Sequence, residues 1–197
     1  MFPALPPATR VLIFINVGVY LLQQVAGTAM LKLFALWPLG SALFRPWQLL
    51  SYAFLHGNLL HIVFNMIPLF MFGAVLERYW GARRLLIYYL VCVLAAALTQ
   101  LAVLGTSPDG EPTLGASGGV FGVLLAFAWY FPRQRLYVIP IPIPVPAWLF
   151  VTVYSLLELF FGVTGKEQGV AHFAHLGGLL GGALCILYWR SRRRFSS

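Results

Sequence analysis

The sequence predicts an all-α polytopic membrane protein, a single domain of six transmembrane helices with both termini on the cytoplasmic side. Three observations predict it: an apolar composition, the spacing of long apolar stretches, and the placement of positive charge. Of 197 residues, 60% are hydrophobic and only 9% charged, where a soluble domain carries about a quarter charged residues. Aromatic residues reach 16%, a composition unlike that of a disordered chain. A chain this apolar needs the bilayer as its solvent.

A helix needs roughly 20 apolar residues to cross a hydrocarbon core of about 30 Å. Six stretches qualify, at approximately 10–27, 57–76, 84–104, 115–131, 146–163 and 170–189. They lie too close together to leave room for a separate soluble domain. The net charge of +8 would suit a nucleic-acid ligand, but its distribution argues for topology instead. Arg10, Arg78, Arg83, Arg84, Arg133, Arg135, Arg190, Arg192, Arg193 and Arg194 fall on one side if the spans alternate in direction. The other side receives Lys32, Arg45 and Lys166, with Asp109, Glu111 and Glu167. This is the positive-inside pattern. The basic C-terminal run also suits anionic lipid headgroups. Residues 1–27 have some features of a signal peptide, but in the alternating topology they form the first span.

Residues 28–56 are too apolar for an ordinary loop and too rich in breakers for a span. Leu31, Leu33, Phe34, Leu36, Trp37, Leu43, Phe44 and Trp47 alternate with Pro38, Gly40 and Pro46. Such a segment suits the membrane interface, here on the non-cytoplasmic face. The alternating run Pro140, Ile141, Pro142, Ile143, Pro144, Val145, Pro146 predicts a stiff extended spacer before span five. Cys92 and Cys185 both lie within spans and read as small core residues rather than a disulfide or a metal pair. No internal repeat suggests a transporter built from two halves.

Polar groups inside a membrane are costly and each needs a reason. Spans two, four and six run in the same direction, from the outer side inward. His61 and Asn65 lie in the first turns of span two, Ser117 at the start of span four, and His175 near the start of span six. At 1.5 Å per residue each sits roughly 5–12 Å below the outer end of its span. Three helices thus bring these four side chains to one layer.

Around Ser117, the residues Gly115, Ala116, Gly118 and Gly119 remove side-chain bulk. The first N–H groups of a helix have no internal partner and favour negative charge. A serine there can attack a carbonyl while backbone N–H groups hold the oxyanion. Gly118 and Gly122 also form a GxxxG step that serves close helix packing, and the two readings are compatible. A histidine that titrates near neutrality suits the base. By spacing alone, either His172 or His175 could serve. The glycines after His175, Gly177 and Gly178, favour His175. No carboxylate is obviously placed to orient it, so the pattern reads as a dyad rather than a triad. His61 and Asn65, at i and i+4, share a helix face and offer donors. Phe121, one turn after Ser117, is placed to pack on the His175 imidazole. Asn16 is expected to make an interhelical hydrogen bond. Glu158 is an acid deep in span five with no partner identifiable from the sequence.

These motifs, in this order, resemble the rhomboid family of intramembrane proteases. The carriers are His56-Gly57-Asn58-Leu59-Leu60-His61-Ile62-Val63-Phe64-Asn65, then Gly115-Ala116-Ser117-Gly118, then Ala174-His175-Leu176-Gly177-Gly178. The resemblance covers essentially the whole chain and implies a six-helix, rhomboid-like fold with a water-filled site open to the extracytoplasmic side. It implies Ser117 as nucleophile and His175 as general base. His61, Asn65 and the backbone around Ala116 and Ser117 would hold the oxyanion, with Gly115, Gly118, Phe121 and Gly178 packing the site. Segment 28–56 would be the interfacial first loop. Span five and the 164–169 loop would admit substrate sideways from lipid. The activity implied is hydrolysis of transmembrane segments of membrane proteins near the outer interface, in a bacterial inner membrane. It needs no metal or organic cofactor and no nucleic acid.

Two departures stand out. The family's first loop often carries Trp-Arg where this chain has Trp47-Gln48, which alters a structural contact. Members often have tyrosine where this chain has Phe121. The absence of a seventh span or a large extra domain suggests a minimal bacterial form. The alternatives are a catalytically inactive rhomboid-like protein that binds membrane helices, and a metal transporter using His56, His61, His172 and His175. The first typically lacks the serine or histidine, and the second lacks an accompanying acidic cluster.

Overall fold

Apolar sequence with breakers at its turns folds here into helices α1 (Pro7–Ala26), α2 (Thr28–Phe34), α3 (Gln48–Ser51), α4 (Leu59–Pro68), α5 (Ala74–Trp80), α6 (Ala82–Leu104), α7 (Ser117–Tyr130), α8 (Ala147–Thr164) and α9 (His172–Arg194). The computed structural model describes residues 4–106, 110–137, 143–165 and 171–194. Asp109, residues 140–142 of the proline run, and 166–169 of the loop before span six lie outside the described residues. Pro144 to Pro146 of that run are described, and Val145–Pro146 (β2) pairs antiparallel with Arg135–Leu136 (β1).

A π-helical turn at Leu69–Gly73 joins α4 to α5, so that Leu59–Trp80 forms one span. Its cause is Pro68, which lacks an N–H and crowds the carbonyl one turn earlier. Among the described residues five spans, α1, α4 with α5, α6, α8 and α9, are long and apolar enough to cross a membrane, and the chain is an integral membrane protein. The expected fourth span, 115–131, is a shorter helix of 14 residues, about 21 Å in length. Most of its side chains are buried against other helices rather than facing outward. A helix enclosed by protein does not need full bilayer length, because its ends can meet protein groups or a cavity instead of lipid.

Helices α6, α7 and α9 form the core, and glycines set their spacing. A Cβ on Gly178 of α9 would meet the backbone carbonyl of Gly118 on α7. A Cβ on Gly119 would strike the ring of Tyr89, and one on Gly177 would lie 2.6 Å from Thr99 Cβ. Cys92, buried on α6, lies where a Cβ on Gly122 would fall. These close approaches bring backbones together with small-residue packing.

One end of the bundle gathers the basic residues. Arg84 lies over the Trp189 ring at 4.5 Å, and Arg190 over Trp129 at 5.8 Å. At the same end Glu77, itself buried, accepts hydrogen bonds from the Ala8 N–H (2.8 Å), the Thr9 N–H (2.7 Å) and the Thr9 hydroxyl (2.7 Å). A carboxylate there satisfies the open N–H groups of α1 and faces the positive end of its dipole. Asn16 departs from expectation. Its Nδ2 donates to the Leu12 carbonyl of its own helix at 2.8 Å, since a carbonyl one turn back competes for such a side chain with partners on other helices.

At the opposite end, the 28–56 segment is a folded loop organised by Gln48. This side chain is fully buried. Its Oε1 accepts from the Arg45 N–H (3.1 Å) and the Trp37 N–H (3.4 Å), while its Nε2 donates to the carbonyls of Leu43 (2.9 Å) and Leu33 (3.3 Å). This neutral amide thus holds four backbone groups. Gln48→Ala is expected to leave one or two of them buried and unpaired, costing roughly 2–4 kcal/mol. A thermal unfolding midpoint in detergent equal to that of wild type would show that the loop does not depend on this amide.

Candidate active site

The segment before α7 is held by its backbone. Leu36 and Thr113 exchange two N–H···O bonds of 2.9 Å each, and the Gly115 N–H donates to the Tyr52 carbonyl at 3.0 Å. The first loop therefore fixes where α7 begins. Ala116, fully buried, is the N-cap residue, and its carbonyl accepts the Val120 N–H at 3.0 Å. Ser117 follows as the first helical residue, so its own N–H has no intrahelical carbonyl to meet.

Ser117 Oγ lies 2.8 Å from Nε2 of His175, one turn into α9. The Phe121 ring stacks on the His175 imidazole, with centroids 4.4 Å apart and planes 10° from parallel. Tyr154 of α8 packs behind Phe121 at 4.9 Å. Of the two histidines that spacing left open, His175 is the one whose Nε2 meets the serine.

Across the site, Asn58 caps α4 by accepting the His61 N–H at 2.8 Å. The Gly57 N–H donates to Nδ1 of His61 at 3.3 Å. An acceptor at Nδ1 leaves Nε2 to carry the ring proton, so the donor faces the serine side. Gly115 shows this: it has φ +125°, and a Cβ there would lie 2.7 Å from His61 Nε2 and 3.7 Å from Ser117 Oγ. The missing side chain leaves a small space bounded by a hydroxyl and a ring N–H. Asn65 Nδ2 donates to the His61 carbonyl at 2.8 Å. Its side chain is buried and lines the same cavity.

That cavity, about 1410 Å³, is lined by Asn58, His61, Asn65, Ser117 and His175 and continues between α4 and α8 past Phe64 and Tyr154. It is walled mainly by apolar side chains. His56, just outside α4, is buried with its ring edge-on to His61 at 5.1 Å. Burial, then the proximity of His61, lowers its pKa to about 4, and a backbone contact from Phe54 opposes this in part.

The sequence left His175 with no obvious carboxylate neighbour, yet one lies beside it. Oε2 of Glu158 on α8 lies 2.8 Å from His175 Nδ1 and 2.7 Å from His172 Nδ1. The sequence separation of 14 and 17 residues hid this pairing, although one acid facing two histidines at i and i+3 was a usable signal. The three ligand atoms lie within 4.8 Å of one another, a spacing a divalent ion would accept. Both Nδ1 atoms are, however, already at hydrogen-bond distance from the carboxylate. His56 and His61 form a separate pair, so the four histidines do not make one metal cluster.

The fold and site together define an integral membrane protein that sets a serine hydroxyl, an imidazole and a carboxylate in line beside a cavity between helices, the arrangement of serine hydrolases. A rhomboid-domain family model matches residues 43–192, and the chain belongs to the rhomboid family. It is similar to proteins named Rhomboid protease GlpG. That of Klebsiella pneumoniae (strain 342) is 28% identical over 181 residues, covering 89% of this chain and 60% of the relative. That of Serratia proteamaculans (strain 568) is 28% identical over 194 residues, covering 95% and 64%. That of Yersinia pseudotuberculosis serotype I (strain IP32953) is 26% identical over 188 residues, covering 94% and 63%. The chain thus spans somewhat under two thirds of the length of these relatives.

Two outcomes are expected. Gly115→Ala fills the space between His61 and Ser117 and strains the backbone; if Ser117 is a reacting group, its labelling by a serine-directed fluorophosphonate should fall about 100-fold or more in protein that remains folded. Unaltered labelling would mean that reacting groups do not occupy that space. His56 has its pKa near 6.5 when unfolded and about 4 when folded, so the unfolded chain binds more protons between these values. Its contribution to stability is therefore lost as pH falls from about 6.5 toward 4. Unfolding midpoints measured across that window should fall less steeply in His56→Asn, and parallel curves would refute the assignment.

Proposed function

We propose that this chain is an intramembrane serine protease that cleaves transmembrane segments of membrane proteins near the outer interface. The observation that carries the reading is the 2.8 Å contact between Ser117 Oγ and His175 Nε2, set against a cavity open between two helices. Membership of the rhomboid family and similarity to proteins named rhomboid proteases support it.

In the proposed reaction Ser117 Oγ attacks the scissile carbonyl carbon as its proton passes to His175 Nε2. The oxygen of the tetrahedral intermediate is held by the Ser117 backbone N–H, the His61 Nε2–H and the Asn65 amide, with Ala116 and Gly115 contributing backbone and space. His175 then protonates the leaving amine as the C–N bond breaks. Water repeats the sequence on the acyl-enzyme, returning the proton to Ser117. Gly118 and Gly178 hold the helices close enough for the contact, and Phe121 supports the imidazole.

A helix hides its carbonyls from attack, so the substrate segment must unwind where it meets Ser117. The gap between α4 and α8 fits lateral access from lipid. The positive-inside rule places both termini in the cytoplasm and the site toward the extracytoplasmic side, and the bacterial relatives suggest an inner membrane. A helix-binding protein without catalysis would have no use for a serine hydroxyl paired with an imidazole.

Labelling by a serine-directed fluorophosphonate in detergent tests the reading. Wild-type protein should label, and Ser117→Ala and His175→Ala should lose at least about 99% of that signal, the loss expected for removing one member of the attacking pair. Folded wild-type protein that fails to label would favour the inactive helix binder. Labelling that survives His175→Ala but not His172→Ala would transfer the role of base to His172.

A further inference from the structure

We propose that Glu158 is the positioning residue for His175, with His172 sharing its carboxylate, so that α7, α8 and α9 each contribute to one proton relay. The proposal rests on the protease reading above and extends it from a dyad to a shared triad.

A single oxygen, Glu158 Oε2, meets Nδ1 of His175 at 2.8 Å and Nδ1 of His172 at 2.7 Å. An ionised carboxylate only accepts hydrogen bonds, so each Nδ1 that faces it carries a proton. For His175 this selects the tautomer with Nδ1–H and an open lone pair on Nε2. That lone pair faces Ser117 Oγ at 2.8 Å, as a base requires. The ring is then fixed by Glu158 on one edge, Ser117 on the other and Phe121 across one face. Gly162 helps to make the arrangement possible: one turn beyond Glu158, its absent Cβ would lie 3.2 Å from His172 Cβ. The small residue lets α8 approach α9.

Charge supports the same role. Glu158 is buried, 5% exposed, where an isolated carboxylate would be costly. Among the described residues, the groups facing the relay are His172 and His175 from α9, Ser117 and Phe121 from α7, Tyr154 of α8 and His61 from α4 across the cavity. When Ser117 Oγ bonds to the carbonyl carbon, its proton moves to His175 Nε2. The imidazolium then donates Nδ1–H to Glu158, and the new positive charge is matched by a charge already in place. The proton leaves again from Nε2 to the amine, so Glu158 keeps its charge throughout. His172 draws on the same oxygen and weakens its hold on His175.

The test is the pH dependence of kcat and KM for purified protein in detergent, with a fluorogenic transmembrane peptide as substrate and Ser117→Ala as the blank. In Glu158→Gln the amide can donate to Nδ1 and favour the Nε2–H tautomer, which cannot accept the serine proton. We expect kcat to fall about 10²–10⁴-fold, KM to change by no more than a few fold, and the acid limb to move to lower pH. In His172→Asn the carboxylate serves His175 alone, and the acid limb should move to higher pH while Ser117-dependent turnover persists. A purely structural role for Glu158 would reduce the folded fraction and leave both limbs in place. Ser117-dependent hydrolysis with an unchanged profile in Glu158→Gln would overturn the positioning role and leave the protease reading intact. If Glu158→Gln does not fold, an unmoved acid limb in His172→Asn overturns it instead. Wild-type hydrolysis no greater than that of Ser117→Ala would sink the protease reading itself.

Discussion

A hydrogen bond between side chains as short as serine and as stiff as histidine, on two different helices, requires those helices to approach more closely than ordinary side chains permit. The 2.8 Å contact of Ser117 with His175 depends on the glycine seam between α7 and α9. A Cβ on Gly178 would fall where the Gly118 backbone of α7 stands, and one on Gly118 would strike Ala96 of α6. The remaining glycines of the core extend the same condition to α6, against Tyr89, Cys92 and Thr99. With lipid outside, no hydrophobic drive separates helix from helix contacts, and close backbone packing takes its place. Geometry that serves stability therefore also brings the reacting atoms together.

That closeness leaves a second problem, because α7 starts below the ends of its neighbours and the chain must reach it through irregular backbone. Such backbone persists at membrane depth only when protein satisfies its polar groups. Here the first loop does so, through the Leu36–Thr113 pair and the Tyr52 carbonyl under Gly115. Gln48 in turn holds the loop from within. Stability of the 28–56 segment and position of the Ser117 backbone N–H are thus one structural matter. At the far end, Glu77 joins the starts of α1 to the end of α5, and the aromatic residues Trp80, Tyr130 and Trp189 close the bundle.

Several features were legible in the residues alone. Long apolar stretches with flanking arginines located the spans, since bilayer thickness sets helix length regardless of neighbours. The glycines around Ser117 and after His175 marked a close approach, and Phe121 met the imidazole where one helical turn places it. Other features were not legible. Asn16 bonded within its own helix because an i−4 carbonyl competes with any interhelical partner. The helix at Ser117 proved short because enclosure by other helices, which a hydropathy window does not register, removes the need for length. Gly115 gave no sign of its left-handed backbone or of the space it leaves beside His61.

By itself the sequence determined that the chain crosses a membrane repeatedly, which end carries the positive charge, and which serine sits at a bare helix start. Each follows from local composition and helical periodicity, which need no knowledge of neighbours. Only the tertiary structure decided which histidine meets Ser117 and that Glu158 stands behind it. His172 and His175 share a face, and the packing of α8 against α9 that brings Glu158 to them is not encoded in the local sequence. The choice between them depends on helix rotation and separation, and these are set by packing contacts distributed over α6, α7, α8 and α9 rather than by any one motif.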